Sequence, residues 1–255
     1  VDHLTLWLSL LTLLSLVVLA VSALILYKTR KVHLATFPLL QDLAATRRET
    51  ESLFGQIHAL LALERTLALP HALPPMRGWA GSPDFLLVVA NEVLRSKPAV
   101  VMECSSGVST IVVARCLQLN GKGHVYSLEH DAPYAAKTRD LIHSYGLQEW
   151  ATVIHAPLET RRTDTPWYAE DAIPASLEPI DILVVDGPPQ NTAPLARLPA
   201  LARLLHRMSA NAVVIMDDAD RDDEIEIVKR WKSFVPQSTE RRPHCEKGCA
   251  ILHMS

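Results

Sequence analysis

The chain has 255 residues, 49% hydrophobic and 21% charged, with 25 Lys and Arg against 28 Asp and Glu and a formal net charge of −3. With no basic run beyond the cluster at 28–31 and Arg241-Arg242, this near-neutral balance excludes a nucleic acid recognised through its phosphates. Less its apolar beginning, the length suits one α/β domain with a full core and leaves no room for a second.

From Leu4 to Tyr27 no side chain carries a charge, a run of about twenty-four residues and long enough to span a bilayer. A signal peptide has a shorter apolar core and ends at a small-residue cleavage site, whereas this run ends in Tyr27-Lys28-Thr29-Arg30-Lys31. The basic residues predict a single-pass helix with its N-terminus outside and the remainder in the cytoplasm, where the four cysteines stay reduced. Residues 1–31 thus read as a transmembrane helix with a basic juxtamembrane segment.

Residues 32–69 read as a helical stalk, with apolar positions at Leu39, Leu43, Leu53, Ile57, Leu60 and Leu67. The spacing fits self-association as a coiled coil and fits equally an amphipathic helix lying on the chain's own domain. Pro70 to Pro75 carries three prolines and stops the helix, so 70–81 reads as a linker. Ser82-Pro83 predicts the N-cap and first position of a new helix, opening a domain over 82–255.

The run Val100-Val101-Met102-Glu103-Cys104-Ser105-Ser106-Gly107-Val108-Ser109-Thr110 carries the strongest signal. An apolar strand breaks on an acid, crosses a turn of small residues and enters an apolar helix, as in pockets where backbone N–H groups approach a nucleotide. About twenty-six residues on, the strand pattern Gly123–Leu128 ends on Glu129, where a nucleoside-binding unit places the carboxylate that takes both ribose hydroxyls. Ile180 to Val185 ends in Asp186-Gly187-Pro188-Pro189, and Ala212 to Met216 ends in Asp217-Asp218-Ala219-Asp220-Arg221. Each readable strand delivers a carboxylate to the edge where open parallel sheets bind ligands.

Trp167-Tyr168 reads either as the lining of an acceptor pocket or as cover for a sheet edge. Cys245 and Cys249, near His244 and His253, have a spacing that zinc tolerates, but 248–252 also reads as a buried terminal strand with core thiols.

In these motifs the chain resembles the class I S-adenosylmethionine-dependent methyltransferases, particularly small bacterial members with a Glu-Leu-Gly-Ser-Gly-Val-Ser-Thr loop, a Ser-Leu-Glu-His-Asp strand end, and Asp-Gly-Pro-Pro and Asp-Asp-Ala-Asp-Arg turns. The resemblance runs from about Gly78 to the C-terminus. It implies a Rossmann-like, doubly wound, mostly parallel seven-stranded sheet ending in an antiparallel hairpin near 238–252. It also implies S-adenosylmethionine as cofactor. Glu103, Ser105, Gly107 and Ser109 would line its amino acid moiety, Glu129 its ribose, and the loop from Ala156 to Leu158 its adenine. Asp186 and Asp218 are the implied catalytic residues, with Asp186 facing the sulfonium and the acceptor.

By similarity to catechol-type O-methyltransferases, Asp186, Asp217 and Asp218 would hold Mg2+, which lowers the pKa of an acceptor hydroxyl. Asp217 or Asp218 equally suits a cap on the helix beginning near Asp222. The chain departs from the pattern in the first loop, where Ser105 replaces a glycine and Cys104 a leucine. A serine forced into a glycine conformation costs about 1–3 kcal/mol.

Two functions follow from the sequence. One is a methyltransferase anchored in a bacterial inner membrane, with its domain in the cytoplasm, acting on a small or lipid-linked acceptor. The other is a methyltransferase-like accessory subunit of a larger respiratory or photosynthetic membrane complex, to which Ser105 points.

Overall fold

The computed structural model describes residues 2–76, 80–162 and 164–254, so Arg77, Gly78 and Trp79 of the expected linker lie outside the described residues. The chain divides into two compact units, 1–54 and 55–255. Helix α1, His3–Leu67, runs through the first unit into the second, with Pro38 inside it. Its stretch His3–Leu40 is long and apolar enough to cross a membrane, reaches a mean hydropathy of 2.7, and buries none of that surface in the protein.

The last turns of α1 behave as an amphipathic helix on the domain. Ala59, Leu63 and Leu67 recur every four residues and are buried, whereas Leu39, Leu43, Leu53 and Ile57 of the expected seam are exposed. The helix ends two residues before the predicted boundary, with Ala68 at φ 44°. Arg115 holds that end by donating from Nε to the Leu67 carbonyl at 2.7 Å and from Nη2 to the Ala68 carbonyl at 3.0 Å, where the helix leaves acceptors unpaired.

The remaining elements alternate. Helix α2 (Pro83–Ser96) leads to β1 (Val100–Cys104), α3 (Val108–Asn120), β2 (His124–Glu129), α4 (Ala132–Ser144) and β3 (Ala151–His155). A ribbon of β4 (Leu158–Glu159) and β5 (Trp167–Tyr168) precedes β6 (Ile180–Val185), α5 (Pro199–Leu204), β7 (Met208–Asp217), α6 (Asp222–Phe234), β8 (Thr239–Arg241) and β9 (Cys249–His253). The predicted cap on α2 takes a different form: the Ser82 hydroxyl donates to Asp84 at 2.6 Å, and Asp84 in turn accepts the Phe85 N–H at 2.8 Å.

Seven strands form one sheet in the order β3-β2-β1-β6-β7-β9-β8. The first five are parallel, while β9 runs antiparallel to β7 and pairs with β8 as the predicted hairpin. Alternate side chains of each strand enter opposite layers. Val101, Ile182, Val184, Val213 and Ile251 pack with Leu63, Phe85, Val89, Ile111 and Ile142, from α1 to α4. Met102, Leu183, Val185, Val214 and Leu252 pack with Leu201, Leu204, Ile227 and Trp231, from α5 and α6. Helices therefore cover both faces, and the strand order reverses between β1 and β6. That reversal opens a crevice at the C-terminal ends of the parallel strands.

Candidate functional site

The loop after β1 forms the first wall. Ser105 sits at φ 120° and Gly107 at φ 141°, both in the region that favours glycine. A Cβ on Gly107 would meet no protein atom within 4 Å, so the backbone there borders open space that a ligand's main chain can occupy. Beneath the loop, Glu103 Oε2 accepts from the Thr110 and Ser127 hydroxyls, each at 2.6 Å, and Thr110 Oγ1 accepts the Gly107 N–H at 3.1 Å. Burial pushes the Glu103 carboxyl above the usual range, against the hydrogen bonds that lower it. Glu103 thus shapes the loop from below and does not line the cleft, unlike Ser105, Gly107 and Ser109.

The positive φ of Ser105 gives a direct test. Ser105→Gly should raise stability by about 1 kcal/mol, the relieved strain less the entropy that glycine loses on folding. It should also tighten cofactor binding or leave it unchanged. An unchanged or lower urea midpoint would show that the serine conformation carries no strain.

Glu129 ends β2 on the adjoining wall. Its Oε1 accepts the Asp131 N–H at 3.0 Å and lies 3.1 Å from His130 Nδ1, while Oε2 accepts from Ser106 Oγ at 2.9 Å. A carboxylate offers about four lone-pair positions, so acceptor capacity remains for a diol. Ala156 donates its N–H to the Glu129 carbonyl at 2.8 Å but is buried, and Leu158 belongs to the β4–β5 ribbon. Neither lines the cleft, contrary to the adenine role implied for them. Their ribbon instead presents Tyr168, which pairs with Leu158 and does line it. The Tyr168 Oη is buried without a hydrogen-bond partner, which marks a donor available to a bound group. Gly187 allows this close approach, since a Cβ there would come within 2.5 Å of that oxygen and 3.0 Å of Ser105 Cβ.

The floor is acidic. Asp186, Asp217 and Asp218 lie at the ends of β6 and β7, with one carboxylate oxygen from each within 4.8 Å of the others. Among them runs Arg197, a buried residue the sequence reading did not single out. Its Nη2 lies 3.0 Å from Asp218 Oδ2 and 3.5 Å from Asp186 Oδ1, and its Nη1 donates to the Asp217 carbonyl at 3.0 Å. Arg221 adds a contact to Asp218 Oδ2 at 2.8 Å, and Glu224, also buried and also missed, lies 3.7 Å from Arg197 Nε.

Burial pushes the Asp186 carboxyl up to about 7, with Arg197 opposing and Asp218 adding to the rise. Burial likewise raises Asp217, helped by Asp186 and Asp218. It works against the Arg197 guanidinium, yet Asp186, Asp218, Glu224 and Asp217 together hold it above its ordinary value.

Mg2+ does not fit this arrangement. The Asp186 and Asp218 oxygens facing each other are held by Arg197, and Asp217 Oδ1 accepts the Asp218 N–H at 2.8 Å. A dication there would have to displace the guanidinium from these oxygens, because two cations cannot share the same acceptor atoms at contact distance. The three residues expected to hold a metal are brought together at the strand ends, and the cation found among them is the guanidinium of Arg197. Neither aspartate caps α6, whose N-cap is Arg221. Cys245 and Cys249 are buried core thiols, with Cys249 in β9.

Together the walls and floor enclose a cleft of about 790 Å³, within the usual range for a cofactor site. Ser105, Gly107, Ser109, Glu129, Asp186, Asp217 and Asp218 all line it. Five parallel strands with an antiparallel hairpin beyond, and this cleft at the reversal, define the class I S-adenosylmethionine-dependent methyltransferase fold. Residues 103–219 match the family model described as a methyltransferase domain.

Solved structures agree on the fold. An O-methyltransferase from Bacillus cereus in complex with SAH is similar at a TM-score of 0.53 and 20% identity, covering 78% of this chain and 91% of that one. The O-methyltransferase TomG from Streptomyces achromogenes, in complex with SAM, gives 0.53 at 15% identity, covering 81% and 96%. A methyltransferase from Geobacter sulfurreducens gives 0.54 at 15%, covering 82% and 97%. No curated protein matches the chain.

Proposed function

We propose that the chain is a membrane-anchored S-adenosylmethionine-dependent methyltransferase acting on a small or lipid-linked acceptor at the cytoplasmic face of a bacterial inner membrane. The observation that carries the reading is the cleft that sets Glu129 and the Ser105–Ser109 loop on one side and Asp186 on the other. In this reading Glu129 would accept both ribose hydroxyls, and the backbone of the Ser105–Gly107 turn would meet the amino acid moiety. The cofactor, when bound, supplies an electrophilic methyl group. Asp186, at the end of β6, would take the acceptor's proton, and Asp218, held by Arg197 and Arg221, would orient it.

A transfer assay tests this reading. Membranes containing the protein, given methyl-labelled S-adenosylmethionine, should incorporate label into a lipid or small-molecule fraction. Because burial raises Asp186 to about 7 and the base must be ionised, the rate should rise with pH through about 7. Asp186→Asn should abolish transfer. Incorporation no greater than in that variant would remove the enzyme reading. The second reading, an accessory subunit of a larger membrane complex, is favoured by one observation, the positive φ of Ser105 in the cofactor loop. Stoichiometric co-purification with a large complex in mild detergent, without transfer, would establish it.

The apolar run of α1 supports anchoring, and the exposed Leu39, Leu43, Leu53 and Ile57 support self-association along the stalk. Carbonate at high pH and high salt should leave the protein in the membrane fraction, because apolar burial is insensitive to ionic strength, and detergent should extract it. Release by salt would sink the anchor.

A further inference from the structure

We propose that Arg197 takes the place of a divalent cation in this site, so that the carboxylates at the ends of β6 and β7 are held and neutralised by a side chain of the chain itself. The catalytic meaning of the inference rests on the methyltransferase reading; its physical content does not.

Arg197 reaches the cleft floor from the segment between β6 and α5, buried by the domain on all but the cleft side. Besides the contacts to Asp186, Asp218 and the Asp217 carbonyl, Nη2 lies 3.4 Å from the Asp186 carbonyl and Nε 3.4 Å from that of Pro188. The planar fork therefore bridges the ends of two adjacent strands and draws two carboxylates together, as a metal ion would. A bound ion and this guanidinium would compete for the same pair of oxygens. One carboxylate oxygen, Asp218 Oδ1, is left buried without a partner, so an acceptor remains on the floor once the guanidinium has taken Oδ2.

Arg197 acts here as a positioning residue. It fixes the carboxylates and does not touch the reacting atoms, and a divalent ion becomes unnecessary for holding Asp186 and Asp218 in register. Removing the guanidinium while keeping the bulk should leave three carboxylates facing one another and create the metal site that it replaces.

Mn2+ titration of the metal-stripped full chain in detergent, followed by electron paramagnetic resonance, reads this without cofactor or acceptor. A failure of S-adenosylmethionine to bind would therefore leave the result interpretable. The wild type should show no saturable site in the sub-millimolar range, and Arg197→Met should bind at least about tenfold more tightly. Arg197→Met/Asp218→Asn should lose that gain. Circular dichroism identifies folded variants, and if Arg197→Met does not fold the wild-type titration decides alone. Sub-millimolar Mn2+ binding by the wild type that Asp218→Asn removes overturns the proposal, as does a folded Arg197→Met that binds no Mn2+.

Discussion

Glu129→Ala should weaken S-adenosylmethionine binding by about 100-fold or more, the largest expected effect of any substitution in the cleft. Hydrogen bonds to a charged acceptor contribute about 1.5–3 kcal/mol each, and a ribose diol makes two. A loss of about 3 kcal/mol corresponds to about 100-fold in Kd. Because the carboxylate also holds the Ser106 hydroxyl and the Asp131 N–H, part of the loss would come through the loop. Glu129→Gln keeps one acceptor oxygen and should fall between the two. Equal affinity of the wild type and Glu129→Ala would show that the ribose does not lie at the end of β2.

For stability, the largest expected loss is Trp231→Ala, at about 3–5 kcal/mol. Trp231, on the sheet-facing side of α6, is fully buried, and its indole N–H donates to the Leu198 carbonyl at 2.9 Å. Leu198 follows Arg197, so the indole also steadies the segment that delivers the guanidinium to the floor. The melting temperature should fall by about 10 °C for a domain of this size. Trp231→Phe, which restores apolar bulk without the N–H, should recover most but not all of it. A drop of only a degree or two would mean that the neighbouring side chains close the cavity.

The sequence made the sheet legible because each parallel strand is an apolar run that ends in an acid and a small-residue turn. Glu103, Glu129, Asp186 and Asp217 stand at or beside the strand ends where those breaks place them. The departure at Ser105 was legible too, whereas the hairpin came from the family resemblance and the positive φ of Ser105 from the structure.

Arg197 was not. It lies in an apolar stretch, Leu195 to Leu205, that also holds the half-buried Arg203, which pairs with Glu170, and nothing in the residue order separates the two charges. The signal lay in counting: three aspartates converging on one floor call for a cation, and the segment between β6 and α5 was a place to look for it. Tyr168 was legible only as one half of an ambiguous pair, because which of two neighbouring aromatic residues faces a cleft depends on the pairing of a two-residue ribbon. What the stalk packs against was left open, because hydrophobic period alone does not say whether a stripe meets a second copy or the chain's own domain. The burial of Ala59, Leu63 and Leu67 decides that for the last turns.

The account stands on a cleft built for S-adenosylmethionine, and calorimetric titration of the full chain in detergent with S-adenosylmethionine and S-adenosylhomocysteine tests it most directly. Saturable one-to-one binding of both at micromolar concentrations, lost in Glu129→Ala and retained or strengthened in Ser105→Gly, is the result expected. No heat of binding for either ligand, in wild type and Ser105→Gly alike, would contradict it.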